Sequence, residues 1–270
     1  MTNSALNFLA IVFYVTVAAL LLRRLARGEA ATPTHRALSL GAGVAAVALH
    51  AIILYAGQAS AGGINLSITG AFALVAWLVA SMYLLVSLWR PIDNLGILIM
   101  PLAALTVLLD WLRPPQATVA LTSPLQALHI VVALVAYSLL CLAAVQSVML
   151  LIQDRKLKHK HPGGFLRALP SMQTMESIMF QMIGLGFILL TATLASGAVF
   201  SEQVSGTAFK LTHHIVLAAL AWVVYGVLLL GRWRFGWRGR TAVRWTLGGF
   251  ALLLLGYFGT KFVLEIILHR

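Results

Sequence analysis

Charge is what this chain has least of. Only 10% of its 270 residues are Asp, Glu, Lys or Arg, while 61% are hydrophobic and the mean hydropathy is +0.94. A soluble domain carries about 25% charged residues, so a water-soluble globular fold is excluded and lipid is the main solvent. Acids are scarcer than bases, seven against nineteen, for a formal net charge of +12. That excess sits in a few loops between apolar runs, which reads as the loops of a membrane protein and excludes a nucleic-acid surface. One cysteine is present, Cys141, inside an apolar run. Disulfides, covalent c-type haem and structural zinc are thereby excluded. No nucleophile–base pair at a useful spacing and no phosphate loop is visible, so the chain is not expected to be an enzyme. No basic residue precedes the first apolar run and Arg23-Arg24 follow it. A signal peptide has the reverse order, so this run is expected to be a retained helix.

What is present is a series of apolar runs, each near the roughly 20 residues a membrane helix needs. Eight are counted: 5–22, 37–56, 69–88, 94–112, 124–152, 176–200, 212–231 and 241–268. The fifth and eighth exceed a single span and should tilt or project. Runs of this length in a medium without water must be helical. The expectation is an all-α integral membrane protein, a bundle of about eight transmembrane helices in one polytopic domain over residues 1–270, with the lipid bilayer as its first partner.

Orientation follows from the basic residues. Arg23, Arg24, Arg27, Arg36, Arg90, the Arg155–Arg167 group and the Arg232–Arg244 group lie on one side, fifteen in all, against Arg113, Lys210, Lys261 and Arg270 on the other. The richer side is cytoplasmic by the positive-inside rule, which places both termini outside a bacterial inner membrane.

Of eight histidines, His35, His159 and His161 fall in the basic loops and read as solvated side chains. The other five, His50, His129, His213, His214 and His269, gather in the outer half or at the outer edge. Pro124 opens the fifth helix after Ser123 as N-cap, which puts His129 in its second turn. His213 and His214 open the seventh helix. Small residues share a face with His50 (Gly43, Ala46, Gly57) and with His129 (Ala133, Ala136, Ala143, Ser147), and small faces let helices approach closely. His214 stacks over Ala218, Ala221 and Tyr225, whereas His213 lines up with bulky Leu217, Leu220 and Val224, so His214 is expected to point inward.

Ionisable groups inside a membrane tend to face a bundle interior or cavity. The helix dipoles near His129 and His214 favour neutral imidazole, with a lone pair available to a metal. With Lys210, Arg113 and Lys261 as a cationic rim, the cavity suits an iron porphyrin carrying anionic propionates and held by one histidine on each face. Three readings stay open at this point: haem, another anionic or metal substrate or ion pathway, and purely structural histidines.

The order of motifs resembles the integral-membrane haem-handling proteins of the cytochrome c assembly family, the CcsA/CcmC-like group, in its short bacterial HemX-like branch. The resemblance covers residues 38–268. It rests on LHAIIL at 49–54, LHIVVALVAYSLL at 128–140, the LPSMQTMESIMFQ…GAVF run at 169–200, AWVVYG at 221–226 and GWRGR at 236–240. It implies a multi-helix bundle that binds or conducts haem b near the outer face and assists c-type cytochrome biogenesis, with assembly partner proteins and an apocytochrome. By motif, His129 matches the first outer axial histidine, His269 the second, and His50 a deeper histidine of the second core helix. The metal ligands implied are His129 with His269 or His214 opposite. The family's tryptophan-rich outer segment should fall between Gly197 and Ile215, where this chain reads GAVFSEQVSGTAFKLTHHI with no tryptophan. His213-His214 stands in its place. The family's later membrane histidine falls at about Leu230. Alternatives to haem handling are a non-haem regulatory or assembly protein that keeps the fold, and a transporter of another anionic or metal substrate.

Overall fold

In a computed structural model of the protein, residues 4–29, 32–61, 64–65, 67–112, 118–119, 124–158, 169–205, 213–259 and 262 are described. Their helices are α1 (Ser4–Arg27), α2 (Pro33–Ala61), α3 (Ile68–Ser87), α4 (Asp93–Leu112), α5 (Pro124–Lys158), α6 (Met172–Ser205), α7 (His213–Phe235) and α8 (Gly239–Leu254), and α8 continues as one π-helical turn, Leu255–Gly259. All eight are long and apolar enough to cross a membrane, counting α8 with its π turn. The all-α membrane fold is thus as expected, apart from a two-residue ladder. There β1 (Ile64–Asn65) pairs antiparallel with β2 (Thr118–Val119), Ile64 opposite Val119 and Asn65 opposite Thr118.

Local chemistry sets the helix ends. Proline opens α2 and α5, at Pro33 and Pro124, where its missing N–H would have no partner in any case. Ser123, the expected cap, lies outside the described residues. Ser67 caps α3, its Oγ accepting from the N–H of Gly70 at 3.3 Å. α1 ends in a Schellman turn. Gly28 takes φ +68°, its N–H donates to Leu25 O (3.1 Å), and Glu29 N–H donates to Arg24 O (3.2 Å). Only glycine adopts that left-handed conformation without steric cost.

Two helices run past the apolar counts. α5 has 35 residues and α6 has 34. The polar end of α5 is held by a Lys158–Asp154 pair at 3.3 Å and by Gln153 Nε2 donating to Pro170 O at 3.2 Å. α6 starts four residues before its expected boundary because Ser171 Oγ accepts from Thr174 N–H at 3.2 Å. Hydropathy registers neither hydrogen bond. The eighth span, expected at 241–268, is helical to Gly259, and most residues beyond lie outside those described.

The chain divides into two compact units, Met1–Val119 with Val148–Met175, and Ala120–Ser147 with Glu176–Arg270. In the first, α1 packs on α2 and α4, while α3 packs on α4 and α2, closing a ring of four helices. Tyr14, Leu25, Leu95 and Met100 fill its centre. In the second, α7 packs against α8, and the buried centre includes Ala136, Leu140, Ile183, Leu190, Tyr225 and Leu253. Large apolar side chains such as Phe8, Leu112, Ile188 and Leu230 are exposed, as lipid-facing residues should be.

Candidate functional site

Of the five singled-out histidines, His129, His213 and His214 belong to the second unit. His129 projects from the second turn of α5 and is half-buried. Its Nδ1 lies 2.8 Å from Ser196 Oγ, near the end of α6. Ser196 Oγ also lies 3.1 Å from Thr193 O, a carbonyl that can take its one hydroxyl proton. With the proton there, the serine accepts from His129 and Nδ1 carries the hydrogen. A neutral imidazole protonated at Nδ1 has its lone pair on Nε2. Nε2 has no hydrogen-bond partner among the described residues. A histidine with one nitrogen oriented by a hydrogen bond and the other bearing a lone pair is the usual arrangement of a metal ligand.

The neighbourhood keeps the ring in place. A Cβ added at Gly197 would sit 3.3 Å from His129 Cε1, tight enough that the ring would have to yield. Further along the expected face, Ala136, Ala143 and Ser147 are fully buried, so the small-residue face of α5 does turn inward. Ser147 also donates to Met179 Sδ at 3.1 Å, tying α5 to α6 lower down.

His213 and His214 are both exposed at the mouth of α7. The line below His214 is indeed the buried one, with Ala221, Tyr225 and Leu228 at 0% exposure. The expected inward placement of His214 does not extend to its side chain, because the first turn stands above the packed part of the helix. The backbone there is close-packed: a Cβ at Gly256 in the π turn would meet Leu217 Cβ at 3.3 Å and His214 O at 3.5 Å. His269 lies outside the described residues, as do Lys210, Arg113 and Lys261 of the expected cationic rim. Among the described residues no group of three or more His, Cys, Asp or Glu side chains could hold a metal ion. Haem ligation needs only two axial histidines, so it makes no such demand.

His50 belongs to the first unit and is 1% exposed. Gly43 and Ala46 on its face are buried as expected. Tyr14 Oη lies 3.1 Å from His50 Nδ1, and the two rings meet edge-on at 5.8 Å. Nε2 is buried with no partner among the described residues. If Nδ1 carried the hydrogen, the tyrosine proton would be left without an acceptor as well. The arrangement with fewer orphaned groups has Tyr14 donating to Nδ1, with the imidazole proton on Nε2. His50 is therefore less ready than His129 to offer a lone pair.

Two features escaped the sequence reading. Glu176 is buried at 7% exposure. Its Oε1 accepts from Arg232 Nη1 at 2.8 Å and Arg238 Nε at 3.2 Å, and Oε2 accepts from Gly239 N–H at 3.2 Å. Arg232 also donates to Trp237 O at 3.2 Å and lies 4.7 Å from the Phe180 ring centroid. One carboxylate thus pins the start of α6 to the α7–α8 turn that carries GWRGR. Trp222 donates through Nε1 to Thr191 Oγ1 at 2.8 Å and stacks on Phe187 at 5.5 Å. Thr191 is 31 residues from Trp222, so no local signal pairs them.

The family model described as "Cytochrome C assembly protein" matches residues 38–268. The chain is 31% identical over 227 residues to an Escherichia coli protein named "Inner membrane protein YpjD", covering 82% of each. It is 38% identical over 141 residues to an uncharacterized 28.8 kDa protein of Azospirillum brasilense, covering 52% of each. It is 27% identical over 171 residues to a Synechococcus protein named "Cytochrome c biogenesis protein CcsA", covering 56% of each.

Proposed function

Since the chain belongs to the cytochrome c assembly family of multi-pass membrane proteins, we propose that it binds or conducts haem b on outward-facing histidines and assists c-type cytochrome biogenesis. One observation carries the haem reading: Ser196 Oγ holds His129 Nδ1 at 2.8 Å, and with Nδ1 as the donor the lone pair falls on Nε2. In this proposal His129 would hold the haem iron together with His269 or His214, with His213, at the same helix mouth as His214, and His50 as further haem contacts. A bound haem would supply an iron able to take imidazole ligands. The chain supplies orientation through Ser196 and an apolar surround. With no nucleophile–base pair, it does not perform the thioether chemistry alone. Assembly partners and an apocytochrome bring the thiols.

The name of the E. coli relative supports the inner membrane as location. The fifteen-to-four division of basic residues supports cytoplasmic basic loops and outward termini. The tryptophan-free segment between Gly197 and Ile215 favours a second reading, a non-haem assembly or regulatory protein.

The absorption spectrum of the purified protein separates the two. Wild type should show a Soret band after haem supply, and His129→Ala should lose most of it, with weaker losses for His214→Ala and His269→Ala. A wild-type protein without the band would overturn the haem reading. A band that survives all three substitutions would overturn the ligand assignment only.

A further inference from the structure

A second site lies in the first unit, and none of the five singled-out histidines lines it. The last turns of α1 and the first turns of α2 enclose a cavity of about 320 Å³, lined by Leu20, Leu21, Arg23, Arg24, Arg27, Glu29, His35, Leu38 and Ser39. Its wall is of two kinds. Leu20 and Leu38 form an apolar lower part that continues the outward apolar surface of the two spans, with buried Leu21 behind them. Arg23, Arg27 and His35 form a basic upper part where the spans end.

The arginines differ in what they are free to do. Arg24 is 8% exposed and donates to Asp93 Oδ2 at 2.9 Å, so its charge is already compensated. Arg27 meets Glu29 only at 3.6 Å, with both side chains about half exposed (54% and 44%), and such a surface pair contributes little. Arg23 is exposed and has no ion-pair partner among the described residues. The Schellman turn at Gly28 reverses the chain here, which brings Glu29 back to the rim and leaves Arg23 and Arg27 one turn apart. The positive end of the α2 dipole adds to the same field. A neighbouring cavity of about 610 Å³ lined by Arg36 and Arg90 offers less, because Arg36 Nη2 already donates to Ser87 O (2.6 Å) and Leu88 O (3.2 Å) at the end of α3.

We propose that the α1–α2 cavity is a binding site for an anionic phospholipid headgroup, with the phosphate between Arg23 and Arg27 and the upper acyl chains along Leu20, Leu21 and Leu38. A free phosphate would satisfy the guanidinium groups but would leave the leucine wall in water. A zwitterionic lipid would satisfy the wall but bring its own cation to the arginines. Only an anionic lipid matches both halves. Arginine is suited to the phosphate because its planar fork can donate two hydrogen bonds to one group. Each juxtamembrane basic residue is worth about 1 kcal/mol of attraction to anionic lipid, and Glu29 opposes it.

Native mass spectrometry of the full-length protein tests this with phosphatidylglycerol, phosphatidylcholine and inorganic phosphate as probes. Wild type should retain phosphatidylglycerol over phosphatidylcholine. Arg23→Gln with Arg27→Gln should weaken that retention about tenfold or more, and Glu29→Gln should strengthen it. A charge-matched control, Arg155→Gln with Arg234→Gln, should change it little. An equal fall in both double variants would reduce the effect to general attraction and overturn the site. So would no fall at all, or weaker binding in Glu29→Gln. Inorganic phosphate binding as tightly as the lipid would overturn the assignment to a lipid.

Discussion

Ser196 Oγ stands 2.8 Å from Nδ1 of His129 and 3.1 Å from Thr193 O. With its proton on that carbonyl, the hydroxyl accepts from the imidazole and favours the tautomer protonated at Nδ1. Ser196→Ala should therefore weaken haem retention by about 10- to 100-fold, the usual cost of losing a partner that orients a ligand. Ser196→Thr should restore most of it, since a threonine hydroxyl can make the same two bonds. Haem titration followed at the Soret band reads both. Equal affinities for wild type and Ser196→Ala would show that the hydrogen bond does not orient the ligand.

Tyr14 is the sole described hydrogen-bond partner of buried His50. Tyr14→Phe leaves both ring nitrogens without partners and should destabilise the protein by about 1–3 kcal/mol. Combining it with His50→Leu removes the orphaned groups and should recover part of that loss. Thermal unfolding of the purified variants measures the difference. A double variant less stable than Tyr14→Phe would show that His50 has an interaction beyond the tyrosine.

Glu176 accepts three hydrogen bonds while only 9% of its side chain is exposed. Glu176→Gln keeps the shape but removes the charge that compensates Arg232, whose side chain is 33% exposed. Breaking such a buried pair should cost about 2–3 kcal/mol. Arg238 is 55% exposed, so Arg238→Gln should cost no more than about 1 kcal/mol. Thermal or denaturant unfolding orders the two. Arg238→Gln costing as much as Glu176→Gln would mean that Arg238, not the less exposed Arg232, is the main partner.

The Arg24–Asp93 pair at 2.9 Å joins α1 to α4 with unequal burial, 8% against 24%. Removing the aspartate strands a buried cation, whereas removing the arginine leaves a carboxylate that water can reach. Asp93→Asn should therefore be more destabilising than Arg24→Gln, and a double-mutant cycle should give a coupling of about 1 kcal/mol or more. Additive effects in the cycle would show that the pair contributes no net stability.

Much of this protein is legible in a single line of sequence because lipid imposes a simple rule. Apolar runs of about 20 residues must become helices, and all eight were countable. The small faces of α2 and α5 were also legible, since seven-residue spacing is local and Gly43, Ala46, Ala136 and Ala143 are buried as the spacing requires. Helix ends were less so. α5 and α6 extend through polar residues on hydrogen bonds that hydropathy cannot register.

The partners of the polar groups were not legible at all. Ser196 is 67 residues from His129, and Glu176 is 56 from Arg232. Nothing in the local composition of either segment signals the other. The sequence by itself determined that this is a membrane helix bundle with histidines gathered toward one end of its spans, because hydrophobicity acts residue by residue. Only the tertiary structure decided which side chain meets each imidazole and which acid is buried, because hydrogen bonds and ion pairs depend on distances that appear once the helices have packed.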